Sequence, residues 1–268
     1  MTQFDAIVIG GGLVGSAIAY GLARENLKTA LIDEGDVAFR ASRGNFGLVW
    51  AQSKGLGAPH YQRWTRLSAE EWPRLAAELG ARTGIDVGLE QPGGVQLCLG
   101  EEEFADRRVM MEQMRTEAGN FGFDYRMLER DELAAMLPGL GWAVTGGSWT
   151  PYDGHVNSLY LLHALHKGFV ERGGTYIPNR TVDYAGVAPN DFRLGSGADE
   201  LAAPKIVLAA GLGNAKLAAL FGLSAPVRPQ RGQILVTERT ERVWPIPIGS
   251  LRQTLEGSIM IGASEEEV

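Results

Sequence analysis

Apolar positions along the chain fall into two rhythms. Ala6–Ile9 is a short unbroken apolar run, the pattern of a parallel strand covered on both faces, and Thr29–Ile32 reads as a second strand,. Between them Ile18 and Leu22 share one helical face, so the stretch from Asp5 to Asp36 predicts strand, turn, helix and second strand. Residues 41–55, rich in Gly, Ser and Asn, read as irregular. The pattern then predicts helices over Tyr61–Leu79, Glu101–Asn120 and Glu129–Met136, the last stopped by Leu137-Pro138-Gly139,. Between the first two, "GIDVGLEQPGGVQLCLG" predicts two strands around the Pro92-Gly93-Gly94 turn,. Leu161, Leu165 and Phe169, four apart, predict a helix and then a strand,. Short strands alternate over Val182–Leu194, and Lys205–Gly211 reads as a fully buried strand ending in glycine. Asn214–Phe221 reads as a helix, and "RGQILVTE" and "GSIMIGAS" as two more strands. The sum is an α/β chain: a Rossmann-like nucleotide-binding domain, discontinuous in sequence, with a sheet-rich domain threaded through it.

Composition narrows the setting. With 268 residues, 45% of them apolar, the chain can bury a substantial core,. A formal charge of -7 argues against nucleic acid or an anionic membrane as the main partner,. The single cysteine, Cys98, cannot form an internal disulfide, and there is no Cys/His cluster for zinc,. No apolar run is long enough to span a bilayer. The first residues, "MTQFDAIVIG", have no basic segment before the apolar one, so a cytoplasmic protein is expected.

Chemistry first shows in the turn after Ile9. Gly10, Gly12 and Gly15 give G-x-G-x-x-G: one glycine for the turn, one for close approach to a pyrophosphate, one for packing helix on strand. The helix start offers unpaired N–H groups to phosphate. Asp33 ends the second strand, where a carboxylate can accept from ribose hydroxyls. An acid there disfavours the 2′-phosphate of NADP, whereas FAD and NAD are not separated by the motif. The plainer reading is a βαβ unit whose glycines only allow tight packing.

Four blocks in order, "IVIGGGLVGSAIAYGLA", "YDGHVNSLYLLHAL", "KIVLAAGLGNAKLAALFGLSAPVRPQRGQILV" and "LRQTLEGSIMIGASEE", resemble the FAD-dependent D-amino acid oxidase superfamily. The branch is that of glycine oxidase, sarcosine oxidase and the flavin subunits of opine and hydroxyproline dehydrogenases. The resemblance implies non-covalent FAD, Cys98 matching no covalent flavin attachment site of the family. It places Gly10, Gly12 and Gly15 at the pyrophosphate and Asp33 at the adenosine ribose, with Glu34 as the neighbour that takes part if the shorter Asp33 does not reach. Ser42, Arg43, Gly44 and Asn45 match a flavin-facing loop, Val182 an adenine-edge backbone contact, and Ala210 and Gly211 a close approach to the cofactor. Arg252 matches a recurrent family arginine and is a candidate for the substrate side, with a structural salt bridge as the other reading. Lys54 is the nearest cation where sarcosine oxidase-like relatives place a carboxylate-binding arginine, and a solvated loop lysine is its other reading. Pro245-Ile246-Pro247-Ile248 stands where glycine oxidase-like relatives carry polar side chains, which implies a bulkier or less polar substrate than glycine.

Asp153-Gly154 reads as a turn and the start of the helix that follows. His155, His163 and His166 read as residues on the surface of that helix without a metal, and Trp50, Trp64 and Trp72 as packing residues. The domain boundaries expected are 1–80 and 151–215 for the FAD-binding domain and 81–150 and 216–268 for the substrate domain. The activity implied is oxidation of the C–N bond of a D-amino acid or secondary-amine acid, a proline derivative or opine, to an imine by hydride transfer to flavin. An FAD-dependent hydroxy-acid or glycerol-phosphate dehydrogenase and a non-catalytic flavin-binding subunit are the alternatives. Oxygen or a partner subunit would accept the electrons, the latter in a hetero-oligomer. Because family members continue beyond the strand at "GSIMIGAS", the chain is expected to be a fragment of a longer protein.

Overall fold

The computed structural model describes residues 2–35, 41–196, 199–262, 264 and 266–267. Ala263 and Glu265 of the final block lie outside the described residues, as do Val268 and, in the opening stretch, Asp36. The α-helices, in chain order, are α1 (Leu13–Arg24), α2 (Pro59–Thr83), α3 (Gly100–Ala118), α4 (Arg130–Met136), α5 (Ser158–Glu171) and the single turn α6 (Asn214–Leu217).

A parallel sheet runs in the order Ile206–Leu208, Ala6–Ile9, Thr29–Ile32, Thr175–Ile177. Ala6–Ile9 and Thr29–Ile32 are buried at every position, the Thr29 hydroxyl donating to the Leu27 carbonyl at 3.0 Å. One face is covered by α1 and α5. Their approach is close because Gly168 has no side chain: a Cβ there would stand 2.9 Å from Tyr20 Cε2. Leu161, Leu165 and Phe169 on α5 are buried, each worth about 1.5–3 kcal/mol of transfer free energy. The other face rests on a meander of Tyr184–Ala188, Asp191–Ser196 and Asp199–Ala203, to which Thr2–Gln3 adds in parallel. Phe4, Leu194 and Leu201 fill the space between them with Ile7, Ile9 and Ile32.

An antiparallel sheet of Gly94–Leu99, Val144–Thr150 and Arg126–Glu129 builds the second layer system. A further antiparallel sheet orders Leu235–Arg239, Ser258–Ile261 and Leu251–Gln253. The two are stitched at Val95, whose N–H donates to the Pro247 carbonyl at 3.0 Å and whose carbonyl accepts from Gly249 N–H at 2.9 Å. The two-residue strands Leu48–Val49 and Gly154–His155 pair antiparallel.

Several sequence expectations need correction. Only the second half of "GIDVGLEQPGGVQLCLG" is a strand. Residues 85–93 instead turn at Gly88, φ 63°, whose N–H donates to Asp86 Oδ1, and meet the chain at 155–157 through isolated contacts: Glu90 N–H donates to His155 O at 2.9 Å and Asn157 N–H to Val87 O at 2.9 Å. Lys205–Gly211 is half-buried rather than fully buried over Ile206–Leu208, since this strand pairs on one side only among the described residues. Asn214–Phe221 is one α-turn followed by a 3-10 turn over Ala218–Phe221. Residues 41–55, read as irregular, contain the strand Leu48–Val49.

Candidate flavin and substrate site

The turn after Ile9 is built almost entirely from backbone. Gly10 sits at φ 111°, and a Cβ on it would meet the Ala209 carbonyl oxygen at 2.4 Å. A Cβ on Gly15 would stand 1.8 Å from the Gly10 carbonyl oxygen, so this glycine is what lets α1 lie on the strand. Gly12 is the N-cap of α1 and supplies no capping side chain. Ser42 does so from across the loop: Leu13 N–H donates to its Oγ at 2.9 Å. Asp33, buried at the end of Thr29–Ile32, accepts from Gly11 N–H on Oδ2 at 2.7 Å and from Gly35 N–H on Oδ1 at 3.0 Å. Glu34 beside it is exposed. Ala209 N–H donates to Ile9 O at 2.8 Å, and Ala210 N–H to Asn214 Oδ1 at 2.9 Å. Gly10, Gly12, Gly15, Asp33, Ser42 and Ala210 thus converge on the carboxyl ends of three adjacent parallel strands.

Gly44 and Gly211 face open space, with no atom within 4 Å of where a Cβ would be. Arg43 and Asn45 are exposed beside Gly44, and Asn45 Oδ1 accepts from Gly47 N–H at 2.7 Å. Val182 is buried among Ile32, Leu194 and Leu201.

At the far end of that loop lies a buried charged cluster. The Arg252 side chain is 4% exposed; its Nε–H donates to the Phe46 carbonyl and its Nη1 to His155 Nδ1 at 3.3 Å. His155, itself buried, therefore carries its proton on Nε2, which lies 3.2 Å from Glu90 Oε2. Glu90 in turn is forked by Arg242, Nη1 to Oε1 at 2.8 Å and Nη2 to Oε2 at 3.0 Å. Burial first, then the Arg252 charge, pushes the His155 imidazole down to about 4, against the pull of Glu90,. Burial lowers Arg252 to about 10.

A second buried polar cluster fixes the segment after Leu48–Val49. Asp153 Oδ1 accepts from Ala51 N–H at 2.5 Å and Oδ2 from Gln52 Nε2 at 2.7 Å. Gln52 Oε1 accepts from Arg107 Nη2 at 2.6 Å and Ser148 Oγ at 2.7 Å. Burial raises the Asp153 carboxyl to about 6 although every one of these bonds, and Arg107, favours its anion. The Trp50 ring covers Gly94 beside Asp153: a Cβ on Gly94 would be 2.5 Å from Trp50 Cζ3.

A family model described as DAO, FAD dependent oxidoreductase, matches residues 5–268. The chain belongs to that family. It is an FAD-dependent oxidoreductase, 44% identical over 266 residues to an opine oxidase subunit of Agrobacterium tumefaciens (strain Ach5), covering 99% of this chain and 72% of the relative. It is 29% identical over 247 residues to glycine oxidase of Geobacillus kaustophilus (strain HTA426), covering 92% and 63%. The crystal structure of glycine oxidase from Geobacillus kaustophilus superposes with a TM-score of 0.88 at 27% identity, covering all of this chain and 72% of that one.

The oxidoreductase has a donor-rich cradle that fits the diphosphate of FAD. The N-cap of α1 is a glycine, Ser42 caps Leu13 N–H from across the loop, and a Cβ on Gly12 would stand 2.7 Å from that Oγ. A carboxylate oxygen accepts more than one hydrogen bond, so Asp33 can take ribose hydroxyls while its backbone partners stay in place. Cys98 is buried and its thiol is pushed up by burial. Among the described residues no group of three His, Cys, Asp or Glu side chains could hold a metal, and no helix is long and apolar enough to cross a membrane.

Other expectations are corrected by the geometry. Asn157, not Asp153-Gly154, starts α5: its Oδ1 accepts from Leu159 and Tyr160 N–H at 3.1 Å. The sequence does carry the signal, an Asn directly before an apolar-periodic run. Of the three histidines read as helix-surface residues, only His163 is exposed. His155 precedes the helix and is buried. His166 Nε2 donates to the Gly11 carbonyl at 2.8 Å, with its ring edge-on to Tyr176, so α5 holds the glycine loop from behind. Trp64, read as a packing residue, is 69% exposed. Lys54 is exposed on the turn leading into α2, its N–H donating to Ala51 O at 3.1 Å.

Proposed function

We propose that this FAD-dependent oxidoreductase oxidises the C–N bond of a D-amino acid or secondary-amine acid, a proline derivative or opine, to the imine. The observation that carries this reading is the pairing of the glycine-and-Asp33 cradle with a buried cation, Arg252 braced by the neutral His155 imidazole, at the two ends of one short loop, Ser42–Phe46. FAD when bound supplies the two-electron acceptor for the hydrogen on the carbon next to nitrogen.

The chain's own residues would do the rest. Gly10, Gly12 and Gly15 would admit the pyrophosphate to the start of α1, with Ser42 N-terminal to the flavin-facing Arg43, Gly44 and Asn45. Asp33, buried and already aligned by two backbone N–H groups, would take the ribose, and Glu34 would stay in solvent. Val182 would border the adenine, and Ala210 and Gly211 would flank the cofactor. Arg252 is the cation on the substrate side, and Lys54, exposed on its turn, is the weaker candidate. FAD-binding segments at 1–80 and 151–215 with substrate-domain segments at 81–150 and 216–268 are the division we favour.

A second polypeptide is part of the proposal, because the opine oxidase relative is named as a subunit. Either that partner or oxygen would reoxidise the enzyme. The test is anaerobic mixing of the flavin-loaded protein with D-amino acids, N-alkyl amino acids, hydroxy acids and glycerol phosphate. Loss of flavin absorbance with amines and release of the matching oxo acid are expected. Bleaching by hydroxy acids or glycerol phosphate alone would overturn the reading, and bleaching by none would leave a flavin-binding subunit.

A further inference from the structure

The inner side of α2 is packed against the core through Gln62, Ala69, Leu79 and Thr83. Its outer side carries a second pattern. Arg63, Trp64, Leu67, Glu70, Glu71 and Arg74 recur every three or four residues, so they form one straight stripe along the helix, and every one of them is exposed. Trp64 and Leu67 stand at the centre of the stripe with Tyr61 at its edge, half open to solvent. Apolar side chains scattered singly over a surface are ordinary. Three within two turns of one helix, a tryptophan and a tyrosine among them and an arginine alongside, have the composition of an interface core.

Charge divides about that centre. Arg63 stands four positions before Leu67, and Glu70 and Glu71 stand three and four after it. The Arg63 guanidinium lies 4.7 Å from the Phe121 ring centroid and makes no hydrogen bond or ion pair among the described residues. Each acid is only half used. Arg66 Nε donates to Glu70 Oε1 at 3.0 Å, and Arg74 donates to Glu71 Oε2 from Nε at 2.7 Å and from Nη2. Glu70 Oε2 and Glu71 Oε1 accept no hydrogen bond among the described residues. An unpaired cation and two carboxylate oxygens with spare capacity thus straddle the apolar centre at nearly equal distances.

We propose that this stripe is self-complementary: α2 pairs antiparallel with α2 of a second copy of this chain, about a two-fold axis at Leu67. In that register positions 63 and 64 of one copy face positions 71 and 70 of the other. Each Arg63 then meets the acidic pair of the second copy, each Trp64 is covered by the stems of those acids, and Leu67 meets itself. One patch that serves as both halves of the contact is what an isologous interface requires. The parallel arrangement would set Arg63 against Arg63 and acid against acid, so charge selects the antiparallel one. The pairing does not depend on which substrate is oxidised, and it leaves the second polypeptide proposed above to another face.

The experiment is sedimentation of the flavin-loaded protein between about 1 and about 100 μM, the range expected of a contact built on one helix face. A monomer–dimer equilibrium is expected, and Trp64→Ala should raise its dissociation constant about ten-fold or more. Arg63→Glu and Glu71→Arg should each weaken it by a similar factor, and the two together should restore it. Within one helix those positions stand about 12 Å apart along the axis, so recovery can come only from contact between copies. A wild type that stays monomeric throughout that range, or a double variant no tighter than the single ones, would overturn the pairing. If a charge variant loses its flavin, Leu67→Cys decides instead. Mild oxidation should link two copies through that residue at the axis, and a chain that stays single would refute the register. Protection of Trp64 fluorescence only when a different polypeptide is bound would give the face to that partner and end the proposal.

Discussion

The glycine loop and the pair of buried polar clusters solve opposite problems with opposite materials. Around Gly10–Gly15 the polar groups belong mainly to the backbone, and side chains are removed so that N–H groups can reach outward. Around Asp153 and His155 the polar groups belong to side chains drawn from five distant stretches of sequence, and they close on one another inside the protein. The first arrangement fails when an atom is added. The second fails when one is taken away, because each partner left behind is buried and unsatisfied.

The largest expected effect tests the first half of that contrast. Gly15→Ala places a Cβ 1.8 Å from a backbone oxygen, with no flexible side chain to yield, so its cost should exceed the about 1–3 kcal/mol usual for overpacking. Thermal unfolding should show no FAD-stabilised transition. A variant that melts like wild type and retains flavin would refute the close packing of α1 on its strand.

Next comes Arg107→Met, which leaves Gln52 Oε1 and Ser148 Oγ with only each other and takes the cation away from the nearby Asp153 charge. Removing one member of a buried charged network costs about 3–5 kcal/mol, and urea denaturation at neutral pH measures it. A loss below about 1 kcal/mol would mean that water already reaches the cluster.

The two clusters can be told apart by pH. His155, lowered to about 4 from 6.5, is uncharged in the fold, while the unfolded chain takes up a proton at the higher value. Its contribution is intact above about pH 6.5 and is lost as pH falls toward 4. Asp153, raised from 3.8 to about 6, runs the other way: its contribution is full below 3.8 and is lost as pH rises through about 6,. The slopes oppose each other in the wild type. His155→Gln should therefore leave stability that declines with rising pH between about 4 and 6, and Asp153→Asn stability that declines with falling pH, relative to wild type. Chemical denaturation across that range reads both signs, and parallel curves for the two variants would contradict the assignment.

The smallest effect is Asn157→Ala at the start of α5, about 1 kcal/mol. Because His166 on the same helix holds the Gly11 carbonyl, a slight fall in FAD affinity should accompany it, measurable by flavin fluorescence on dilution.

What can be read from the sequence follows the same division. The loop is legible because its chemistry is local: glycines at fixed spacing, two apolar strands and a terminal acid all fall within residues 6–33. The helix faces of α2 and α5 are legible for the same reason, through their periodicity. The cluster of Gln52, Arg107, Ser148 and Asp153 is not, since its members are 41 to 101 positions apart along its bonds and none departs from an ordinary surface pattern in its own neighbourhood. His155 and His166 escape a sequence reading for a related cause. Their partners, Glu90, Arg252 and Gly11, lie on other elements, so spacing along one helix carries no information about them.

Cys98, the one thiol in 268 residues, is sealed in the strand Gly94–Leu99 with 2% of its surface exposed. The native protein is thus a ready background for spectroscopic tagging. A cysteine placed at exposed Leu159 or Leu255 could carry a fluorophore or spin label without first deleting the natural one, and two such sites would report the distance between α5 and the turn after Leu251–Gln253.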